Sequence, residues 1–110
     1  MPKDDKVRLR HMLDASRKVM EFVQGRTRAD LKKDEKLTLA LVRLIEVIGE
    51  AATQVSKEFQ ELHQEIPWSL ITGMRNRLIH AYFDVDLDRV WDTAKDDLPP
   101  LIFELEKIVS

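Results

Sequence analysis

The chain has no cysteine, which removes disulfide frameworks and thiolate metal sites in one step and fits a reducing compartment. Three glycines and four prolines in 110 residues leave too little turn punctuation for a strand-rich fold. No apolar run approaches the roughly 20 residues of a membrane span, and the opening MPKDDKVRLR lacks the apolar core of a signal peptide. A cytoplasmic protein without membrane contact is expected. Charge of one sign is also scarce: a formal net charge of −2 argues against a protein that coats nucleic acid nonspecifically. Glycine-rich phosphate loops, a serine nucleophile elbow and His-Glu-X-X-His are all missing. His11, His63 and His80 are scattered, and Glu61, His63 and Glu65 diverge around a helix, so neither a metal site nor a cofactor is expected.

What is present is 44% hydrophobic and 35% charged residues, the balance of a helical globular protein, and 110 residues suit one domain with a real core. The charge is uneven: residues 1–43 are net basic and residues 44–110 net acidic. Lys3, Lys6, Arg8, Arg10, Arg26, Arg28, Lys32 and Lys33 offer a basic surface that would steer a phosphate backbone, although most are expected to be ordinary solvated positions.

The chain reads as consecutive helices. Leu9, Met12, Leu13, Ser16, Val19, Met20 and Val23 form one face of a helix over about residues 4–24, which Gly25 stops. Asp34 is a candidate cap for a long second helix, striped by Leu37, Leu41, Leu44, Ile45, Ile48, Ala52, Val55, Phe59 and Leu62 and expected to reach about residue 62. Pro67 suits the first turn of a third helix, and Asp86 a cap for a fourth. Pro99 and Pro100 must kink or split this last helix, because a proline removes an internal hydrogen bond and clashes with the preceding turn. The expected fold is all-α, an antiparallel up-and-down helical bundle.

Chemistry concentrates in MRNRLIHAYFD, residues 74–84. On one continuous helix Arg75 and Tyr82 fall about 20° apart, in a stripe with Trp68, Ile71, Leu78 and Ile79, while Asn76 and His80 lie on a neighbouring face near Gly73. A guanidinium in an apolar stripe needs an anion or an interface. Asp84, Asp86 or Asp88 of a second chain would satisfy it in a purely structural dimer. Arg77 lies off the stripe and is expected as a surface charge or one that steers a phosphate backbone rather than as a catalyst, and Trp68, Trp91, Met12 and Met20 as packing residues. One chain presents a single histidine and arginine here, whereas a twofold interface would double them, so a homodimer is expected.

Arg75, four residues, His80, one residue and Tyr82 match the Arg-X4-His-X-Tyr motif, and the chain here resembles the HepT-like toxins of the HEPN superfamily of helical ribonucleases. RLIEVIGEAA, IPWSLITGMRNRLIHAYFDVD and VWDTAKDDLPPL agree with that family in the same order, so the likeness covers about residues 8–108. The resemblance implies a HEPN-type bundle acting as a homodimer, with the motif in a composite cleft that cleaves RNA without metal, a tRNA being one candidate substrate. It implies that His80 serves as general acid and base, that Arg75 stabilises the transition state, and that Asn76 supports them. It also implies a type VII toxin–antitoxin pair, in which a minimal nucleotidyltransferase (MntA-like) neutralises the toxin by adenylylating Tyr82. The alternative expectation is a noncatalytic helical partner of that nucleotidyltransferase, binding a nucleotide or presenting a substrate. Taken without the resemblance, His80 reads as a histidine at a helix C-terminus and Tyr82 as an amphipathic residue at the core's edge.

Overall fold

The computed structural model describes residues 3–81 and 84–109, with His80 and Ala81 described along the backbone alone. Two long helices organise it. Helix α1 (Lys3–Val23) buries Leu9, Met12, Leu13, Ser16, Val19 and Val23, the face expected from the apolar spacing. Gly25 ends it at φ 75°, a conformation that glycine adopts without a Cβ penalty. After the short α2 (Asp30–Lys33), Asp34 caps α3 (Glu35–Gln54) by accepting the Leu37 N–H at 3.0 Å. Leu41, Ile45, Ile48 and Ala52 of α3 are fully buried in the same core as the face of α1.

The expected second helix to residue 62 is two helices. Val55 is extended, at φ −69° and ψ 136°, and a separate α4 (Lys57–Leu62) follows. Asp5, buried on the first turn of α1, accounts for the break: its carboxylate accepts the Ser56 N–H at 2.8 Å and the Ser56 hydroxyl at 2.6 Å. The Ser56 hydroxyl in turn caps α4 by accepting the Phe59 N–H at 3.2 Å. Gln60 then turns back and donates to the Val55 carbonyl at 3.1 Å and to the Ala52 carbonyl, which also accepts the Val55 N–H. Asp5→Ala strands two part-buried donors of Ser56 at this junction. A loss of about 1–3 kcal/mol is expected, read as a lowered urea midpoint at unchanged slope.

Pro67 stands just before α5 (Trp68–Thr72), at the N-cap position rather than inside the helix. Trp68 fixes this corner by donating its indole N–H to the His63 carbonyl at 3.0 Å while its ring meets Phe59 edge-on. Next come α6 (Met74–Leu78), then a minimal antiparallel ladder of β1 (Ile79–Ala81) and β2 (Asp84–Val85), then α7 (Leu87–Asp92). Asp86 caps α7 by accepting the Arg89 N–H at 3.0 Å.

The prolines split the last helix as expected. Thr93–Asp97 form a π-helical turn in which the Leu98 N–H reaches back to the Thr93 carbonyl, and Pro99 and Pro100 sit in the first turn of α8 (Leu98–Val109). The wider turn accommodates rings that an uninterrupted α-helix would reject. Helix α8 packs on α1, where Arg17 and Glu106 pair at 2.7 Å. The result is an all-α helical bundle carrying one very short hairpin.

Candidate active site: the Arg75 cleft and the His80 bulge

The motif does not lie on one helix. Gly73, at φ −93° and ψ 0°, separates α5 from α6, and α6 ends at Leu78. A Cβ at Gly73 would stand 3.0 Å from the Arg77 Nη1 and 3.3 Å from the Ser69 carbonyl, so this tight crossing favours glycine. Arg75 is therefore not the middle of a buried stripe. Trp68, Ile71, Met74 and Leu78 are buried, whereas the Arg75 side chain is 48% exposed.

Within the chain the anion that meets Arg75 is Glu46, whereas the sequence reading looked to aspartates of a second chain. Arg75 Nε donates to Glu46 Oε2 at 2.6 Å, and Arg43 Nη1 donates to Glu46 Oε1 at 2.6 Å. Of those aspartates, Asp88 is engaged by Arg28 at 2.9 Å. Arg75 and Asn76 line a cleft of about 120 Å³ with Glu46, Gly49, Glu50, Thr53 and Thr72. Gly49 lets the walls approach, since a Cβ there would press on the Ile71 carbonyl at 3.2 Å. Asn76 is exposed beside Arg75.

The Arg75 guanidinium, and after it Arg43, hold the Glu46 carboxyl below the usual carboxylate range. The folded value is depressed, so this contribution to stability is present above the unfolded value of 4.5 and is lost as pH falls through the folded value. Asp34, held down by Arg26 and by the Leu37 N–H, follows the same sign. Thermal stability is expected to fall on acidification below about pH 4.5, and Glu46→Gln to flatten part of that fall in a pH series of melting curves.

His80 occupies a strand rather than the same helix as Arg75. Ile79 pairs with Val85 and Ala81 with Asp84, so β1 carries one residue more than β2 across this step, and His80 is that extra residue. The Asp86 N–H closes the hairpin onto the Leu78 carbonyl at 2.7 Å. Tyr82, expected beside Arg75, lies outside the described residues.

Arg77 turns inward and is only partly exposed. It donates to the Leu70 carbonyl in α5, and its charge partly offsets a rise in the Asp97 pKa that burial, and then Asp96, bring about. That placement tethers α5 to α6 and leaves less of the guanidinium for RNA than a free surface charge would offer. Much of the expected basic surface is paired as well. Arg26 meets Asp34 at 2.7 Å, Arg28 meets Asp88 and Asp92, and Arg10 meets Asp14. Among the described residues no three histidine, aspartate or glutamate side chains converge as a metal site would require, and no helix is long and apolar enough to cross a membrane.

Sequence reasoning missed Glu46 and Arg43. The available signal was a lone acid inside an apolar run, Leu44-Ile45-Glu46-Val47-Ile48, one helical turn after an arginine.

The chain is thus a small helical domain with an exposed arginine and asparagine on a cleft and a histidine at the bulge that follows. Comparison with known proteins makes that specific: the model of the family described as "Ribonuclease HepT-like" matches residues 12–108, and the chain belongs to that family. It is 40% identical over 93% of its length to a protein of Caldanaerobacter subterraneus subsp. tengcongensis named "Putative RNase", covering 91% of that protein. It is 38% identical over 98% of its length to "Probable ribonuclease HepT" of Thermococcus cleftensis, covering 98% of that protein. The whole chain also aligns at 38% identity with half of a Methanocaldococcus jannaschii protein named "Gamma-glutamylcyclotransferase and putative RNase". No solved structure matches the chain significantly.

Proposed function

We propose that this chain is a metal-independent endoribonuclease, the toxin of a type VII toxin–antitoxin pair. The observation that carries the reading is the half-exposed Arg75 guanidinium on a polar cleft beside Asn76, with His80 at the bulge that directly follows α6, in a chain of the ribonuclease HepT-like family. His80 takes the proton from a ribose 2′-hydroxyl, whose oxygen bonds to the adjacent phosphorus. The bond from phosphorus to the 5′-oxygen breaks, a proton reaches that leaving oxygen, and a cyclic phosphate remains. Imidazole suits both transfers because its ordinary pKa lies near neutrality. Arg75 meets the negative charge that develops on the phosphorus-bound oxygens, and Asn76 helps to place the phosphate.

One chain contributes one histidine and one Arg75. A homodimer with the motif at its twofold axis doubles both, which supports a composite cleft for an RNA such as a tRNA. Tyr82, the single tyrosine, is the proposed target of an MntA-like nucleotidyltransferase partner. An adenylyl group there would add bulk and phosphate charge close in sequence to Arg75 and so compete with RNA.

The test is cleavage of total cellular RNA by purified protein in excess EDTA, with ends mapped and His80→Ala alongside. Cyclic phosphate ends that survive chelation and vanish in the variant are expected. No cleavage by protein whose mass shows Tyr82 unmodified would instead favour the noncatalytic partner of a nucleotidyltransferase. Sedimentation of the same sample, giving twice the chain mass, checks the dimer.

A further inference from the structure

The way Glu46 holds Arg75 is informative because it uses one particular edge of the guanidinium. The contact runs through Nε, and among the described residues the two terminal amino groups make no other hydrogen bond. Arginine recognises a phosphate best through two parallel donors, and anchoring Nε leaves the terminal pair for that purpose. Arg43 reaches the other oxygen of the same carboxylate, with its side chain 65% exposed, while that of Glu46 is only 21% exposed. Two guanidiniums are thus gathered about one carboxylate, a triad with net charge +1 that still attracts an anion. Glu50, exposed and one turn further along α3, lines the same cleft and makes that end unfavourable to phosphate.

We infer that Glu46 is a positioning residue that sets Arg43 and Arg75 as one cradle for two phosphates of a single-stranded RNA, with the scissile phosphate at Arg75 and a neighbouring phosphate at Arg43. The inference rests on the ribonuclease reading above and adds to it a second phosphate subsite. The strand passes Arg43 and keeps away from Glu50. A glutamine at position 46 keeps one acceptor oxygen but replaces the other with a donor, so it cannot hold both arginines.

Two measurements test this on the full chain. The first is steady-state cleavage of bulk tRNA. Glu46→Gln removes a negative charge next to the cleft, so if Glu46 were only a competing anion, KM would fall and kcat would hold. Positioning predicts a kcat lowered at least about tenfold with KM unchanged or lower, since small misplacements of a catalytic group are costly, and partial recovery in Glu46→Asp, which keeps two acceptor oxygens. The second is binding of a fully 2′-deoxy single-stranded oligonucleotide, which this chemistry cannot cut, over a range of salt. Arg43→Ala, at an exposed position that leaves the fold alone, is expected to weaken binding roughly tenfold and to reduce the salt slope by about 0.7, the value for one lost phosphate on a single strand.

Cleavage and binding that Glu46→Gln and Arg43→Ala leave unchanged would overturn the cradle while the nuclease reading stands. Oligonucleotide binding that depends on Arg43, in a protein that never cuts RNA, would sink the nuclease reading and uphold the phosphate subsite.

Discussion

His80→Ala is expected to lower RNA cleavage by about 10² to 10⁴, the usual worth of a positioned general acid or base, while the protein stays folded. The first half of this expectation comes from chemistry. The imidazole is the proposed acceptor of the 2′-hydroxyl proton, and water is a poor substitute at neutral pH. The second half comes from the fold. The hairpin is closed by backbone contacts, Ile79 with Val85 and the Asp86 N–H on the Leu78 carbonyl, and these do not need an imidazole. Single-turnover cleavage and a melting curve on the same preparation separate the two. A variant that cuts RNA at the parental rate would remove His80 from the mechanism, and one that melts far below the parent would make it a structural residue.

Where the sequence was legible, the cause was local. Helix α1 and its stop at Gly25, the Asp34 and Asp86 caps, and the division at Pro99 and Pro100 all follow from forces within a few residues of each feature. Where it was not, contacts distant in sequence decided. The break at Val55 comes from Asp5, whose carboxylate takes the Ser56 donors from 51 positions away. The apolar stripe runs through Val55 and Phe59 regardless, so periodicity alone reads as one helix. Leu78 and Ile79 are ambiguous for a related reason: a short apolar run fits a helix end and a strand equally well. That ambiguity moved His80 off the helix assigned to it, while the residue types of the motif stayed informative. The need of Arg75 for an anion was readable, but its partner lies 29 residues earlier on another helix, a pairing that spacing does not encode.

Arg75→Ala and Arg75→Lys supply the other large effect, and magnitudes decide what it means. As an ion pair, Arg75 with Glu46 joins a half-exposed side chain to one that is 21% exposed. Such a pair contributes about 0–1 kcal/mol to stability in most measurements. As a preorganised donor to a developing phosphorane charge, the same guanidinium is worth on the order of 3 kcal/mol, or about 10² to 10³ in rate. The two roles therefore differ by roughly a factor of three in free energy, wide enough to tell apart. Arg75→Ala should lose about 10² to 10³ in kcat/KM while its melting temperature moves by only a few degrees. Lysine is the sharper probe. Its ammonium keeps the positive charge and can still pair with Glu46, yet a single point charge cannot bond the carboxylate through one edge and a phosphate through another. Arg75→Lys is therefore expected to be as stable as the parent and nearly as inactive as the alanine variant. Parental activity in Arg75→Lys would mean that only the charge matters, and the edge-specific role of the guanidinium would have to be abandoned.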